Sequence, residues 1–127
     1  MRWLLSLVLL FDVNVVFARE IFIGPSGSNS SGTGSMAAPY QTLLHVLEPA
    51  NGIVQAGDVI TLRGSATGTV YAANEYRLRT RLTVRSFPGE WAILRCPINV
   101  PDGICLQIDP EASGSVISRL EIEGGTV

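Results

Sequence analysis

The amino-acid sequence predicts an all-β solenoid of about three coils behind a short capping α-helix. Three features lead to this prediction: short segments in which apolar and polar residues alternate, a common spacing of about 22 residues between them, and one amphipathic segment upstream. Alternation with a period of two is typical of β-strands. A repeat of this length with several short strands per copy is typical of a solenoid, whose coils stack because no coil buries its own apolar face.

The repeat is carried by three alternating segments, residues 59–63, 82–85 and 104–107. Because equivalent residues of successive coils lie above one another, we expect their inward side chains to stack in ladders. The predicted ladders are Ile60, Leu82, Ile104 and Leu62, Val84, Leu106. Further sets keep the same offset: Tyr76, Ile98, Leu120; Leu78, Val100, Ile122; and, more weakly, Ala72, Leu94, Val116. An antiparallel sandwich is the other interpretation, since its strands also alternate, but it does not explain the shared offset.

The amphipathic segment predicts the capping helix. One apolar stripe at positions i, i+3, i+4 and i+7 is formed by Tyr40, Leu43, Leu44 and Leu47. Pro39 suits the first helical position, and Pro49 ends the pattern because proline cannot continue the hydrogen-bond ladder. His45 is the only histidine and would lie away from the stripe without a partner, so we assign it no role.

The N-terminus has the pattern of a secretory signal peptide. Arg2 supplies the positive start, an apolar run follows to Phe11, and the small side chain of Ala18 suits signal peptidase. Cleavage there divides the chain into a signal peptide, residues 1–18, and one domain, residues 19–127, which we expect to be secreted or displayed on the cell surface. The apolar run is too short to cross about 30 Å of hydrocarbon, so we expect no transmembrane segment after cleavage.

Charge and residue spacing exclude several functional classes. The net charge is −2, whereas nucleic-acid binding needs a basic face. Asp58, Asp102 and Asp109 are single residues in predicted turns and do not have the spacing of metal ligands. No catalytic triad or pair of carboxylates can be assembled, so the sequence predicts neither a catalytic residue nor a metal site in this chain.

The outward positions of the repeat offer one candidate binding site. Arg63 and Arg85, followed by Gln107, would lie in a row opposite the apolar ladder. Stacked guanidinium groups can bind uronate carboxylates through paired hydrogen bonds, which makes Arg63 and Arg85 candidate substrate-binding residues. The other interpretation, which the sequence favours, is that they are solvated surface side chains.

The two cysteines are a candidate disulfide, because an exported chain meets an oxidising compartment. The predicted alternation, however, points Cys96 inward and Cys105 outward. Opposed side-chain directions disfavour a bridge, so the sequence favours an inert buried thiol at Cys96 and leaves the disulfide as the alternative.

Five segments in a fixed order resemble a known family. They are residues 21–29 (IFIGPSGSN), 38–43 (APYQTL), 56–64 (AGDVITLRG), 82–90 (LTVRSFPGE) and 119–125 (RLEIEGG). Together they are similar to the start of exported right-handed parallel β-helix proteins of the pectin lyase-like superfamily, over nearly all of the chain after residue 19. The sequence departs from that pattern by extra loop residues between positions 49 and 54.

The resemblance implies the front end of a secreted carbohydrate-active β-helix protein. A polysaccharide lyase acting on a uronate-containing polymer is the activity it favours, and a non-catalytic, adhesive cell-surface β-helix is the alternative. In such lyases the basic catalytic residue and Ca²⁺ lie on later coils, so the resemblance implies that this chain is an inactive fragment that binds no cofactor itself. It also implies a polysaccharide partner and a monomeric full-length protein.

Overall fold

The computed structural model describes residues 18–98 and 103–125, so the predicted signal peptide lies outside the described residues. This part of the chain is mostly strand, with one short α-helix, which confirms the all-β prediction. The strands are β1 (Glu20–Ile23), β2 (Val59–Leu62), β3 (Thr69–Ala72), β4 (Tyr76–Leu78), β5 (Thr83–Ser86), β6 (Ala92–Ile98), β7 (Leu106–Ile108), β8 (Val116–Ser118) and β9 (Leu120–Gly125). The α-helix α1 is Leu43–Leu47, and two 3-10 helices are Pro49–Asn51 and Pro110–Ala112. Among the described residues, no helix has the length and apolar character needed to span a membrane.

The described strands form three parallel sheets. Sheet A has the order β1-β2-β5-β8, sheet B the order β3-β6-β9, and sheet C pairs β4 with β7. From β2 onward the chain visits the sheets in the order A, B, C, A, B, C, A, B, so each complete pass adds one strand to every sheet. All six strand pairs are parallel, which excludes the antiparallel sandwich for this part of the chain.

The predicted 22-residue register is wrong. In sheet A, Ile60 lies beside Val84 rather than Leu82, so the observed offset is longer than the predicted one. The offset grows again at the next pair of strands in the same sheet, where Thr83 lies beside Val116. The offsets vary because the corners differ in length: five residues join β5 to β6, but Arg119 alone joins β8 to β9. The predicted and observed registers of β2 and β5 differ by an even number of positions. Since a strand alternates with a period of two, both registers place the same side chains inward, and the apolar pattern cannot distinguish them.

The other predicted sets fail among their described members, and Val100 lies outside the described residues. Tyr76 pairs with Leu106 instead of Ile98, and Leu120 pairs with Ala92. The ladders that form in sheet A are Ile21, Ile60, Val84, Ile117 and Ile23, Leu62, Ser86.

The inward side chains of the three sheets make one buried core. Ile60 and Val84 are fully enclosed, and each such side chain contributes about 1.5–3 kcal/mol by leaving water. The core also contains two tyrosines. The Tyr76 hydroxyl donates a 2.6 Å hydrogen bond to the Tyr71 carbonyl oxygen, and burial raises the pKa of Tyr76 to about 12. The hydroxyl therefore remains a hydrogen-bond donor across the physiological pH range.

Helix α1 begins later than Pro39, the predicted start. The Thr42 side chain caps it by accepting a hydrogen bond from the His45 backbone N–H, which places the first turn at Leu43. The helix buries Leu43, Val46 and Leu47 and leaves Leu44 exposed, so the predicted stripe is wrong at Leu44. Tyr40 lies before the helix, in a bridge to Ile23. The end before Pro49 is confirmed, and the helix packs against β4.

The Gly/Ser-rich segment before α1 is held by one asparagine. The Asn29 side-chain oxygen accepts hydrogen bonds from the backbone N–H groups of Gln41 and Thr42, and its amide nitrogen donates to the Thr42 hydroxyl at 3.0 Å. Asn29 thus connects the loop to the start of the helix.

Cys96 and Cys105 form a disulfide with a Cα–Cα distance of 5.4 Å, so the favoured prediction of an unpaired thiol is wrong. That prediction assumed that residues 104–107 are one regular strand. In the structure β7 begins only at Leu106, and Cys105 lies in the bend before it with its side chain buried. Ile104, which we expected to face inward, is 50% exposed. Cys96 faces inward as predicted, and the bend turns the Cys105 side chain inward beside it.

Candidate functional site

The two arginines of the predicted row lie on the outward face of sheet A. Arg85 stands on β5 beside Thr61 of β2, and Arg63 follows the end of β2. Gln107 does not join them, because it lies on β7 in sheet C, where its neighbour is Arg77. The predicted row of three residues therefore does not form. We call the outward surface that carries Arg63 and Arg85, with their partners, the sheet A face.

Arg63 is bound to a glutamate of the same face. Its Nε donates to both carboxylate oxygens of Glu90, at 2.8 and 3.2 Å, and its Nη2 donates to Oε2 at 3.2 Å. The guanidinium carbon lies 4.2 Å from the centre of the Phe87 ring, within reach of a cation–π interaction. Hydrogen bonding from Arg63 holds the pKa of Glu90 below its usual range, and the Gly64 N–H adds a further donor. An incoming carboxylate would have to displace Glu90.

Arg85 is bound to a different glutamate. Its Nη2 donates to Oε1 of Glu20 at 3.1 Å, and the Thr61 hydroxyl donates to the same oxygen at 2.6 Å. These contacts lower the pKa of Glu20, with the Thr61 hydrogen bond as the largest cause and Arg85 as a further one. Thr61 is completely buried although it faces outward, so the two charged side chains cover it.

The sheet A face therefore balances its own charge. Each guanidinium group already binds a carboxylate, which is the group that a uronate residue would offer. Polyuronate binding at Arg63 and Arg85 would require competition with Glu90 and Glu20. Recognition of substrate by these two arginines stays a prediction. The alternative, that they are ordinary surface side chains, is supported by the ion pairs that each of them forms.

Three more ion pairs follow the same pattern. They are Arg19 with Asp58 at 2.5 Å, Arg77 with Asp109 at 2.8 Å and Arg95 with Glu123 at 2.6 Å. These pairs and the two on the sheet A face are not visible in the sequence, because their members are between 27 and 65 residues apart and no local spacing connects them. The composition does indicate such pairs in general. The nine Lys or Arg residues are all arginines, and the planar guanidinium group suits paired hydrogen bonds to carboxylates.

A small cleft separates α1 from β4. It has a volume of about 160 Å³ and is lined by Leu44, Leu47, Glu48, Glu75, Arg77 and Arg79. Pockets for drug-sized ligands usually enclose about 300–1,000 Å³, and this cleft is smaller. Within residues 18–98 and 103–125, no group of three His, Cys, Asp or Glu side chains is placed to hold a metal ion.

Comparison with known proteins gives no match: no protein-family model, curated protein or solved structure is similar to this chain. The family resemblance carried by the five sequence segments therefore stays a prediction.

Proposed function

We propose that this chain forms the capped N-terminal part of a right-handed parallel β-helix. One observation carries the proposal: the chain visits sheets A, B and C repeatedly in the same order, and each visit adds a parallel neighbour to the previous strand. Crossovers between parallel strands of one sheet are right-handed in about 98% of cases, which favours that hand. Helix α1 packs against β4 at the start of the stack, in the position of a cap.

The opposite side of the stack supports further coils in the complete protein. Inward side chains on the last strand of a sheet are exposed, although their neighbours on the preceding strand are buried. In sheet B, Ile122 of β9 is 43% exposed, whereas its neighbour Leu94 of β6 is 1% exposed. Ile108 and Leu78 in sheet C show the same contrast. A following coil with strands on β7, β8 and β9 would cover both exposed positions and pair the free strand edges, which otherwise favour aggregation.

The complete protein, in this proposal, is exported and acts on carbohydrate, with the cleavage of a uronate-containing polymer by a polysaccharide lyase as the favoured activity. The support comes from the ordered resemblance to the pectin lyase-like superfamily, from the signal-peptide pattern, and from a disulfide that requires an oxidising compartment. The catalytic residues and any Ca²⁺ site belong to later coils in this proposal. The described chain supplies the cap and the first strands of each sheet.

One observation favours a second candidate, a non-catalytic adhesive β-helix. Arg63 and Arg85 are neutralised by Glu90 and Glu20, so the sheet A face provides no unoccupied guanidinium pair for a uronate. Ion pairs within one face are expected where charged side chains stabilise the fold instead of binding a substrate.

The experiment is to incubate the full-length gene product with pectate, alginate and chondroitin and to follow the absorbance of unsaturated uronate. The lyase proposal expects absorbance to rise with one of the three polymers. The matched control is the present chain alone, which we expect to be inactive. Absence of product from all three polymers would contradict the lyase and leave the adhesive protein. Turnover by the chain alone would contradict the placement of catalysis in later coils.

A further inference from the structure

The outward face of sheet B carries an exposed tryptophan that the sequence analysis did not single out. Trp91 stands at the corner before β6 and is 40% exposed. Beside it, Val70 of β3, Ile93 of β6 and Glu121 of β9 lie next to one another across the sheet. We call these four residues the Trp91 platform. They lie on a different sheet from Arg63 and Arg85.

The tryptophan side chain is held in place by its polar edge. The indole Nε1–H donates a hydrogen bond to the Glu121 carboxylate at 3.1 Å, so the donor of the ring is already used. What Trp91 offers to solvent is therefore the carbon surface of the ring. Val70, also well exposed, extends this apolar surface. Tryptophan combines a large contact area with few rotatable bonds, which makes an exposed, anchored ring an effective binding residue.

A glycine maintains the shape of the platform. Gly68 precedes β3 with φ of 109°, a conformation that other residues rarely adopt. A Cβ atom at this position would lie 2.8 Å from Cδ1 of Ile93 and 3.8 Å from Cδ1 of Trp91. A side chain here would adopt a strained backbone conformation and would displace the end of the Ile93 side chain.

The rim of the platform is polar and slightly acidic. Arg95 and Glu123 lie directly opposite each other on β6 and β9 and pair at 2.6 Å. With Glu121, the rim holds two carboxylates against one guanidinium group. Arg95 and Glu123 already bind each other and Glu121 accepts from Trp91, but the carboxylate oxygens keep further acceptor capacity, and these three charged groups leave an excess of one negative charge.

We propose that the Trp91 platform binds a neutral glycan by stacking one sugar ring on the indole. A pyranose has an apolar C–H surface and a rim of hydroxyl groups, and these complement the apolar centre and the polar rim. The excess carboxylate disfavours a polyuronate but accepts hydrogen bonds from neutral hydroxyl groups. A peptide that adds a strand would need a sheet edge, whereas the platform is a sheet face. The ligand class rests on the carbohydrate-active function proposed above; the position of the site does not.

The test uses the fluorescence of Trp91 itself. The chain contains two tryptophans, Trp3 and Trp91, so the full chain with Trp3→Phe reports on the platform alone. We titrate this protein with cellohexaose, xylohexaose, mannohexaose and hexagalacturonate. We expect at least one neutral hexasaccharide to change the emission saturably, and hexagalacturonate to leave it unchanged.

Affinity electrophoresis in gels that contain the corresponding polysaccharide measures variants without the fluorophore. Trp91→Ala is expected to weaken binding by about tenfold or more, the factor that corresponds to about 1.4 kcal/mol, and Trp91→Phe by less. The matched control is Met36→Ala, which removes another exposed apolar side chain outside the platform and should leave binding unchanged. Circular dichroism confirms that each variant is folded.

Three outcomes would overturn the proposal. They are binding of neutral glycans that survives Trp91→Ala, binding of hexagalacturonate alone, and binding of none of the four sugars. The second outcome would support the uronate-directed function while removing the platform from it. The third leaves the lyase assay on the full-length protein to decide the proposed function independently.

Discussion

The disulfide between Cys96 and Cys105 leads to the most direct test of the structure. Cys96 is an inward residue of β6, and Cys105 lies in the bend just before β7. The bridge thus closes the connection from sheet B to sheet C with a sequence separation of 9. Replacing both cysteines by alanine removes this constraint from the unfolded chain.

The magnitude follows from the size of the closed loop. For a loop of about ten residues, the chain-entropy relation gives about 9 cal/mol/K, which is about 2.7 kcal/mol at 25 °C. In a domain of this size, a destabilisation of about 1 kcal/mol lowers the melting temperature by about 4–8 °C. We therefore expect Cys96→Ala/Cys105→Ala to melt roughly 10–20 °C below the wild-type protein.

Thermal unfolding followed by circular dichroism, with and without reducing agent, measures this effect. Reductant should lower the melting temperature of the wild-type protein and leave that of the double variant unchanged. A thiol titration in denaturant should find no free thiol in the oxidised wild-type chain. Two free thiols, or a double variant that melts within a degree or two of the wild type, would refute the bridge and restore the unpaired arrangement that the sequence favours.

Three further predictions concern the core and the charged face. Leu62→Ala should reduce the free energy of unfolding by about 2–5 kcal/mol in urea denaturation, whereas Ile104→Ala should change it by less than about 0.5 kcal/mol; comparable losses would support the 22-residue ladder instead. Tyr76→Phe removes the hydroxyl that donates to the buried Tyr71 carbonyl and should cost about 0.5–1.5 kcal/mol by the same measurement, with an unchanged stability contradicting the hydrogen bond. Because the folded-state pKa of Glu90 is lowered, its contribution to stability is present above the usual carboxyl value of 4.5 and is lost as the pH falls below it. Glu90→Gln should therefore flatten the decline in melting temperature below pH 4.5, and an identical decline in both proteins would contradict the ion pair.

The sequence predicted the inward faces of β2 and β5 correctly because these faces depend on local alternation, whereas Ile98, Ile104 and Val116, also predicted to face inward, are exposed. Strands form at residues 59–62 and 83–86, within one residue of the predicted segments 59–63 and 82–85, and Ile60 and Val84 face the core. The stacking partners could not be predicted in the same way. They depend on the length of every corner, and the alternation has a period of only two positions, so several registers satisfy it equally.

The cysteine prediction failed at a local irregularity. The alternation of residues 104–107 is that of a strand, but the chain bends at Cys105 and enters β7 one residue later. The bend is part of the connection from β6, which the two cysteines close. The link joins residues nine positions apart, outside the four-residue window in which the alternation was read, so the local pattern does not reveal it.

The sequence predicted that Arg63 and Arg85 share an outward face, but it wrongly added Gln107 to their row and did not reveal their partners. Arg63 and Arg85 do lie on the same outward face, as their alternation indicates. Their partners are invisible to the pattern, because Glu90 and Glu20 are 27 and 65 residues away in sequence. The sequence therefore predicts two exposed guanidinium groups, whereas in the folded chain each of them is hydrogen-bonded to a glutamate.

The charged residues also explain why β2 and β5 of sheet A do not adopt the 22-residue register. That offset would place Arg85 directly beside Arg63, and like charges opposite each other on neighbouring strands are destabilising. The observed register places Arg85 beside Thr61 and within reach of Glu20, while Phe87 takes the place beside Arg63. Individual exposed ion pairs contribute only about 0–1 kcal/mol, too little to account for the stability of the core. Together with the corner lengths, they favour the observed register over others that the apolar residues satisfy equally, and the ion pair between Arg85 and Glu20 joins β5 to β1 of the same sheet.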